Sequence, residues 1–235
     1  MPLLMLLQNA LLPIKNLLVF NQIMDKIHVI RTGVFGVNTL IVPLSQNDCF
    51  VVDPAACSLS GDKYKITSYL ESKKLNCKEI VLTHAHFDHI TGIDTVKNCF
   101  PEAKIAIHKN DSDELRYAPG PMNSSAISFF GESSLLDAIM VQPAADILLE
   151  DGDSVFDFTV IHTPGHTPGS ICLYSKERNV LISGDTLFDY GGYGRTDLQG
   201  GDEALILKSL EKLRKIIPAD ALVYPGHDNF GFKFL

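Results

Sequence analysis

The sequence lacks a CxxC pair: its five cysteines, Cys49, Cys57, Cys77, Cys99 and Cys172, are odd in number and scattered. That pattern excludes a disulfide framework and points to reduced, mostly buried thiols in a cytoplasmic setting. Positive charge is scarce too. Lys and Arg number 20 against 28 Asp and Glu, a net charge of −8, which argues against a nucleic-acid partner, since that needs clustered cations. A small anionic substrate stays open, because a bound cation can set the local sign. The chain also lacks an uninterrupted apolar run. Its leucine-rich start, "MPLLMLLQNALLPIKNLLVF", is broken by Pro13 and Lys15 and has neither a basic leader nor a small-residue cleavage site, so no stable membrane span is expected. Residues 1–23 read as an apolar N-terminal extension, whether a docked helix, an anchor or a stretch upstream of a start at Met24. Residues 24–235 read as a single domain. Low-complexity tracts and short internal repeats are missing as well.

What is present is ordinary globular composition, 46% hydrophobic and 20% charged, in a chain long enough to bury a large core. From Lys26 onward "IHVIRTG", "NTLIVPL" and "CFVVDPA" read as the strands of a meander. "KYKITSYLESKKL" carries apolar residues at helical spacing with a charged opposite face. "EIVLT" is a buried strand, "ITGIDTVKNCF" a helix closed by Pro101, and "KIAIH" another strand. Residues 111–147, with Pro119, Gly120, Pro121 and Pro143, read as a short helix and a long surface loop forming a lid or wall. Strands resume at "DSVFDFTVIHT", "SICLYS" and "NVLISGD". The helix "EALILKSLEKLRKI" and the strand "ALVYPGH" follow. Two halves of this kind predict sheets covered by helices.

The chemistry concentrates at strand ends. "VLTHAHFDHITG" sets His84, His86, Asp88 and His89 directly after a buried strand. Residues two apart in an extended segment face the same side, so His84 and His86 can grip one ion, while Asp88 and His89, past a turn, can face a second. Three more strands run out at a potential ligand beside Gly or Pro: His166 in "HTPGHTPGS", Asp185 in "LISGDTLF" and His227 in "LVYPGHDN". Glycine there lets the backbone turn and leaves room beside an ion. His28 and His108 read as structural. His162 lies four before His166, but Pro164 and Gly165 break any helical pairing, so a structural or supporting part suits it better.

Together these motifs resemble the metallo-β-lactamase superfamily. "THAHFDH", "TPGHTPGS", "SGDTLF", "GRTD" and "PGH" occur in that family's order over roughly residues 27–228, and "HTPGHTPGSICLY", "GDTLF" and "YPGHD" are most similar to its glyoxalase II-like hydrolases. The resemblance implies an α/β fold, a four-layer αβ/βα sandwich, with the site where the two sheets meet. It implies a first metal on His84, His86 and His166, a second on Asp88, His89 and His227, and Asp185 bridging both. Two Zn2+ per chain are expected, with iron or mixed metals as the alternative. The expected reaction is hydrolysis of a thioester or related ester, such as a hydroxyacylglutathione, by a metal-bridging hydroxide that Asp88 orients and whose proton it shuttles. In "DYGGYGRTD", Tyr193 is expected to face the substrate while Arg195 and Asp197 hold the loop.

Two departures bear on the substrate. After "PGHDNFGFKFL" the sequence does not continue into the helical region with which hydroxyacylglutathione hydrolases hold glutathione, nor into the Thr-rich turn and "NP" segment of compact relatives. A second resemblance, in "DHITG", "GRTD" and "YPGHD", is to persulfide dioxygenases, which would place a single iron on His84, His166 and Asp185. A non-catalytic scaffold of the same fold is the third reading, and the full set of seven candidate ligands speaks against it.

Overall fold

The computed structural model describes residues 26–116, 119–130 and 142–234; the expectation for residues 1–23 lies outside them. β1 (His28–Thr32), β2 (Val37–Pro43) and β3 (Asp48–Val52) form the expected antiparallel meander. β4 (Asn76–Val81), β5 (Lys104–His108) and β6 (Ile147–Leu149) then add in parallel, completing a six-stranded sheet in the order β1-β2-β3-β4-β5-β6. The second sheet contains β7 (Ser154–Val155), β8 (Phe158–His162), β9 (Ile171–Ser175), β10 (Val180–Gly184), β11 (Leu222–Pro225) and β12 (Phe232–Lys233), again ordered edge to edge. Among the described residues, only β10 and β11 pair in parallel there.

The side-chain alternation explains the layers. Leu40, Val42, Phe50 and Val52 point between the sheets, where they meet Phe158, Val160, Leu173 and Ile182, and Phe50 and Phe158 pack edge to face at 5.6 Å. Their neighbours Ile41, Cys49 and Val51 point the other way, onto the helices α1 (Lys65–Lys73), α2 (Phe87–Ile90) and α3 (Ile93–Cys99). Strands covered on both faces read as continuous apolar runs for this reason. On the far side, Cys172, Leu181 and Val223 pack with Leu213 and Ile217, contributed by α6 (Glu203–Ile216) and its C-terminal neighbour. The result is the helix–sheet–sheet–helix sandwich that the family resemblance implied.

Some local expectations needed correction. "DSVFDFTVIHT" is not one strand: Phe156 takes a left-handed φ of 54° and splits it into the hairpin β7–β8. Within residues 111–147, the described part is largely helical, α4 (Ser112–Arg116) and α5 (Pro121–Phe130), rather than one short helix and a loop. β6 closes that stretch as a strand.

His108 and His162 end β5 and β8, one in each sheet, and their rings stack at 4.0 Å with an interplanar angle of 11°. The His162 ring bonds the Pro168 carbonyl at 2.9 Å. Burial, with help from His162 and Lys109, pushes His108 down to about 4, whereas in the unfolded chain it sits near the usual value of about 6.5. Between those values the unfolded chain binds more protons, so stability falls as pH drops from about 6.5 towards 4. Urea unfolding of chelator-treated protein across that range should show this slope, and His108→Gln should flatten it. An unchanged slope in the variant would contradict the assignment.

Candidate metal centre

The seven residues singled out in the sequence converge at the ends of β4, β10 and β11 and in the β8–β9 turn. His84 and His86 lie in the extended segment after β4, and Asp88 and His89 fall inside the four-residue helix α2, which begins directly after His86. The ring nitrogens of His84, His86 and His166 lie within 4.8 Å of one another, as do ligand atoms of Asp88, His89 and His227. His86 Nδ1 and His166 Nε2 are 2.7 Å apart, and His89 Nε2 and His227 Nε2 are 3.2 Å apart. Asp185 sits between the two groups: Oδ1 is 3.5 Å from His89 Nε2, and Oδ2 is 3.5 Å from His166 Nε2 and 3.6 Å from His227 Nε2.

Local backbone features put these groups in place. β10 and β11 pair in parallel with a register shift after Ile182 that sets Gly184 opposite Pro225, so Asp185 and His227 leave the ends of adjacent strands. Gly165, at φ 139°, lets the "TPGH" turn lie directly against the backbone of Ile206 at the start of α6. The His166 ring bonds the Arg195 carbonyl at 2.7 Å, while the Arg195 guanidinium grips Asp197 with two 2.7 Å bonds. That pairing brings Asp197 down to about 2 and matches the loop-holding part expected of both residues. Tyr193 lies elsewhere than expected: its hydroxyl donates to Glu203 at 3.3 Å, and the loop residues lining the cavity are Gly194 and Arg195.

The sequence reading missed Asp53. It is buried, with a left-handed φ of 49°, and its carboxylate accepts the Thr83 N–H (2.8 Å), the Thr83 hydroxyl (2.6 Å) and His89 Nδ1–H (3.0 Å). It thereby fixes which nitrogen of His89 faces the cluster. A signal was present in "VVDP", another buried strand running out at a carboxylate beside proline. Asp111 was missed as well. It is buried and bonds Ala85 N, Thr167 Oγ1 and Gly169 N.

The electrostatics divide the site. Burial and the rings of His89 and His166 hold His84 well below the usual imidazole range. Burial and His166 bring His86 down to about 3, and His166 is lowered too, chiefly by burial. Burial would also lower His89, but Asp185 and Asp88 lift it well above the usual range. In Asp185, burial is outweighed by His89, His227 and His166, which hold the carboxyl well below its ordinary value.

Whether this set suits metal ions can be judged from its unmet bonding. Nε2 of His84 and Nε2 of His86 are buried without a hydrogen-bond partner, and Asp185 Oδ1 also lacks one, with only the 3.5 Å approach of His89. Buried polar atoms are otherwise almost always paired. Neutral imidazoles with free ring nitrogens, grouped with carboxylates, are the donor set a divalent ion prefers. The residues fit.

The cluster forms the floor of a cavity of about 400 Å³. Phe35, Phe87, Phe188 and Leu198 give it apolar walls, with Arg195 and Asp228 at polar positions. Phe35 and Phe87 meet edge to face at 5.8 Å. Among the described residues, no helix is long and apolar enough to cross a membrane.

Comparison with known proteins gives consistent matches. The family model for the metallo-beta-lactamase superfamily matches residues 31–227. The chain is 35% identical over 187 residues to the probable metallo-hydrolase YqgX of Bacillus subtilis (strain 168), covering 78% of this chain and 82% of that protein. It is 28% identical over 206 residues to the hydroxyacylglutathione hydrolase GloC of Haemophilus influenzae, covering 87% and 91%. Among solved structures, the BLEG-1 B3 metallo-beta-lactamase superposes with a TM-score of 0.74 at 32% identity, covering 87% of this chain and 92% of that one. TTHA1623 in a di-iron-bound form follows at 0.73 and 28%, covering 88% and 94%.

Proposed function

The chain belongs to the metallo-β-lactamase superfamily, whose members are mostly metal-dependent hydrolases, and from that premise we propose that it is a dinuclear metallohydrolase cleaving a thioester or related ester of a small molecule, such as a hydroxyacylglutathione. The observation that carries the reading is the convergence of the seven donors, with buried ring nitrogens of His84 and His86 left unpartnered. In this reading His84, His86 and His166 would hold one ion, Asp88, His89 and His227 would hold the other, and Asp185 would serve both. Zinc suits the imidazole-rich set, and a relative solved with two irons makes iron the alternative. Divalent ions held there supply Lewis acidity, polarising an acyl carbonyl and acidifying water.

The chain's own residues supply the rest. Asp88 lines the cavity and is held ionised: burial, which would raise its carboxyl, is outweighed by His89 and His227. It accepts the proton that water loses on attacking the acyl carbon and passes it to the departing thiolate, so the products are a carboxylic acid and a thiol. Phe35, Phe87, Phe188 and Leu198 shield the reacting group from bulk water and hold the apolar part of the acyl chain. The hydroxyacylglutathione class is supported by the similarity to the Haemophilus influenzae hydrolase, which extends over 91% of that protein. The free cysteines, all but Cys99 buried, support the cytoplasmic placement.

The test combines elemental analysis of protein purified without chelator with hydrolysis of S-lactoylglutathione. Two metals per chain and turnover are expected. Asp88→Asn should cut kcat by about 10²–10⁴-fold, the range for losing a proton-transfer group. One iron per chain with oxygen consumption on glutathione persulfide would overturn the hydrolase reading in favour of a dioxygenase.

A further inference from the structure

We propose that Asp111 and Asn123 are positioning residues that clamp the backbone between His84 and His86 and tie it to the loop carrying His166. The proposal rests on the reading of those three histidines as metal ligands.

The need for a clamp follows from the backbone. β4 ends at Val81, so the peptide groups around Ala85 have no strand partner, yet Ala85 is fully buried. Buried peptide groups must be paired, and here side chains do it from both sides. The Ala85 N–H donates to Asp111 Oδ2 at 3.1 Å, and the Ala85 carbonyl accepts from Asn123 Nδ2 at 2.8 Å. Asp111 follows β5, and Asn123 lies in the first turn of α5. Both are buried, at 1% and 0% exposure.

The same Asp111 carboxylate reaches the second loop. Oδ2 also accepts the Thr167 hydroxyl at 2.7 Å, next to His166, and Oδ1 accepts the Gly169 N–H at 2.6 Å. An ionised carboxylate can accept about four such donors, so one group sets the separation of two loops that are remote in sequence. Gly169 is explained by this contact, since a Cβ there would come within 2.5 Å of Asp111 Cγ. Asn123 is held in turn: the Glu114 carboxylate accepts the N–H groups of Met122 (2.8 Å) and Asn123 (3.1 Å).

Within the segment read from the sequence as a lid or wall, the described residues Asp111, Glu114 and Asn123 therefore act as a brace. Asp111→Asn keeps the shape but turns one acceptor into a donor that must face either Gly169 N–H or a loop donor on the other side. Asn123→Ala removes the hold on the Ala85 carbonyl. Zn2+ affinity, measured by competition with a chromogenic chelator, should fall about 10- to 100-fold in Asp111→Asn, the range seen when groups supporting ligands are lost, and in the same direction for Asn123→Ala. The Co2+-loaded Asp111→Asn protein should show a shifted d–d absorption spectrum, which loss of stability alone would not produce. Glu211→Gln, which breaks the exposed pair with Lys215 on α6, should leave affinity unchanged.

Folded variants with wild-type Zn2+ affinity and an unshifted Co2+ spectrum would overturn the clamp. Should Asp111→Asn be recovered unfolded, Asn123→Ala decides by the same two measurements. A wild-type protein that takes up no zinc, cobalt or iron would instead overturn the metal-centre reading, and the clamp with it.

Discussion

Asp185→Ala is expected to abolish hydrolysis for practical purposes, lowering kcat/KM by about 10³-fold or more, which is about 4 kcal/mol of transition-state stabilisation, and to reduce the metal content from two ions to one or none. Asp185 is the carboxylate standing between the two histidine groups, 3.5 Å from both His89 and His166. Its charge also offsets the pair of rings His89 and His227, whose Nε2 atoms are only 3.2 Å apart. Alanine leaves those two rings with Asp88 as the remaining carboxylate between them, and it removes the donor that both metal positions share in the proposed dinuclear reading. Elemental analysis and a thioester assay on the same preparation check the result. Two metals and near-normal turnover in the variant would remove Asp185 from the centre altogether.

Gly226→Ala should be almost as damaging, though it adds a single methyl group. Its Cβ would fall inside the contact distance of Asp185 Oδ1 and 2.7 Å from His89 Cε1. The backbone cannot retreat, because Gly226 N–H bonds the Gly184 carbonyl at 2.8 Å and the Gly226 carbonyl accepts the Asn38 N–H at 2.7 Å. The ligands must move instead. Overpacking of this kind costs about 1–3 kcal/mol of stability, which a domain of this size tolerates, so folded protein should be recovered. Its metal affinity should be at least about 100-fold weaker, the upper range for disturbing the groups around a metal. Chelator competition on the folded variant measures this, and an unchanged affinity would show that the ligand cluster is looser than the contacts imply.

The parts of the site that were legible in the sequence share one property. Each is a histidine or aspartate placed where a buried strand stops, and the apolar run before it makes the position conspicuous. Asp53 has that property, but in "VVDP" it passes for a turn residue before proline. Asp111, Glu114 and Asn123 lack it. They act by reaching backbone N–H and C=O groups on other loops, and such bonds leave no period or spacing in the chain. The fold followed a similar line. Long apolar strands were readable, whereas two- and three-residue strands such as β7 and β6 exist only because a neighbour supplies their partners. Tyr193 stood in a glycine-rich loop beside Asp185, yet a neighbour on α6, Glu203, decided where its hydroxyl points.

The four candidate ligands of the first motif hang from the first sheet, whereas His166, Asp185 and His227 hang from the second. An ion held by both sets therefore binds only while the two sheets are docked, and its binding energy becomes part of the energy of docking. At a free metal concentration 100 times Kd, that linkage is worth about 2.7 kcal/mol per site. The coupling runs in both directions. A substitution that loosens the contact of Phe50 with Phe158, deep between the sheets, raises the metal dissociation constant without touching a ligand, so that loss of metal reports on damage anywhere along the seam.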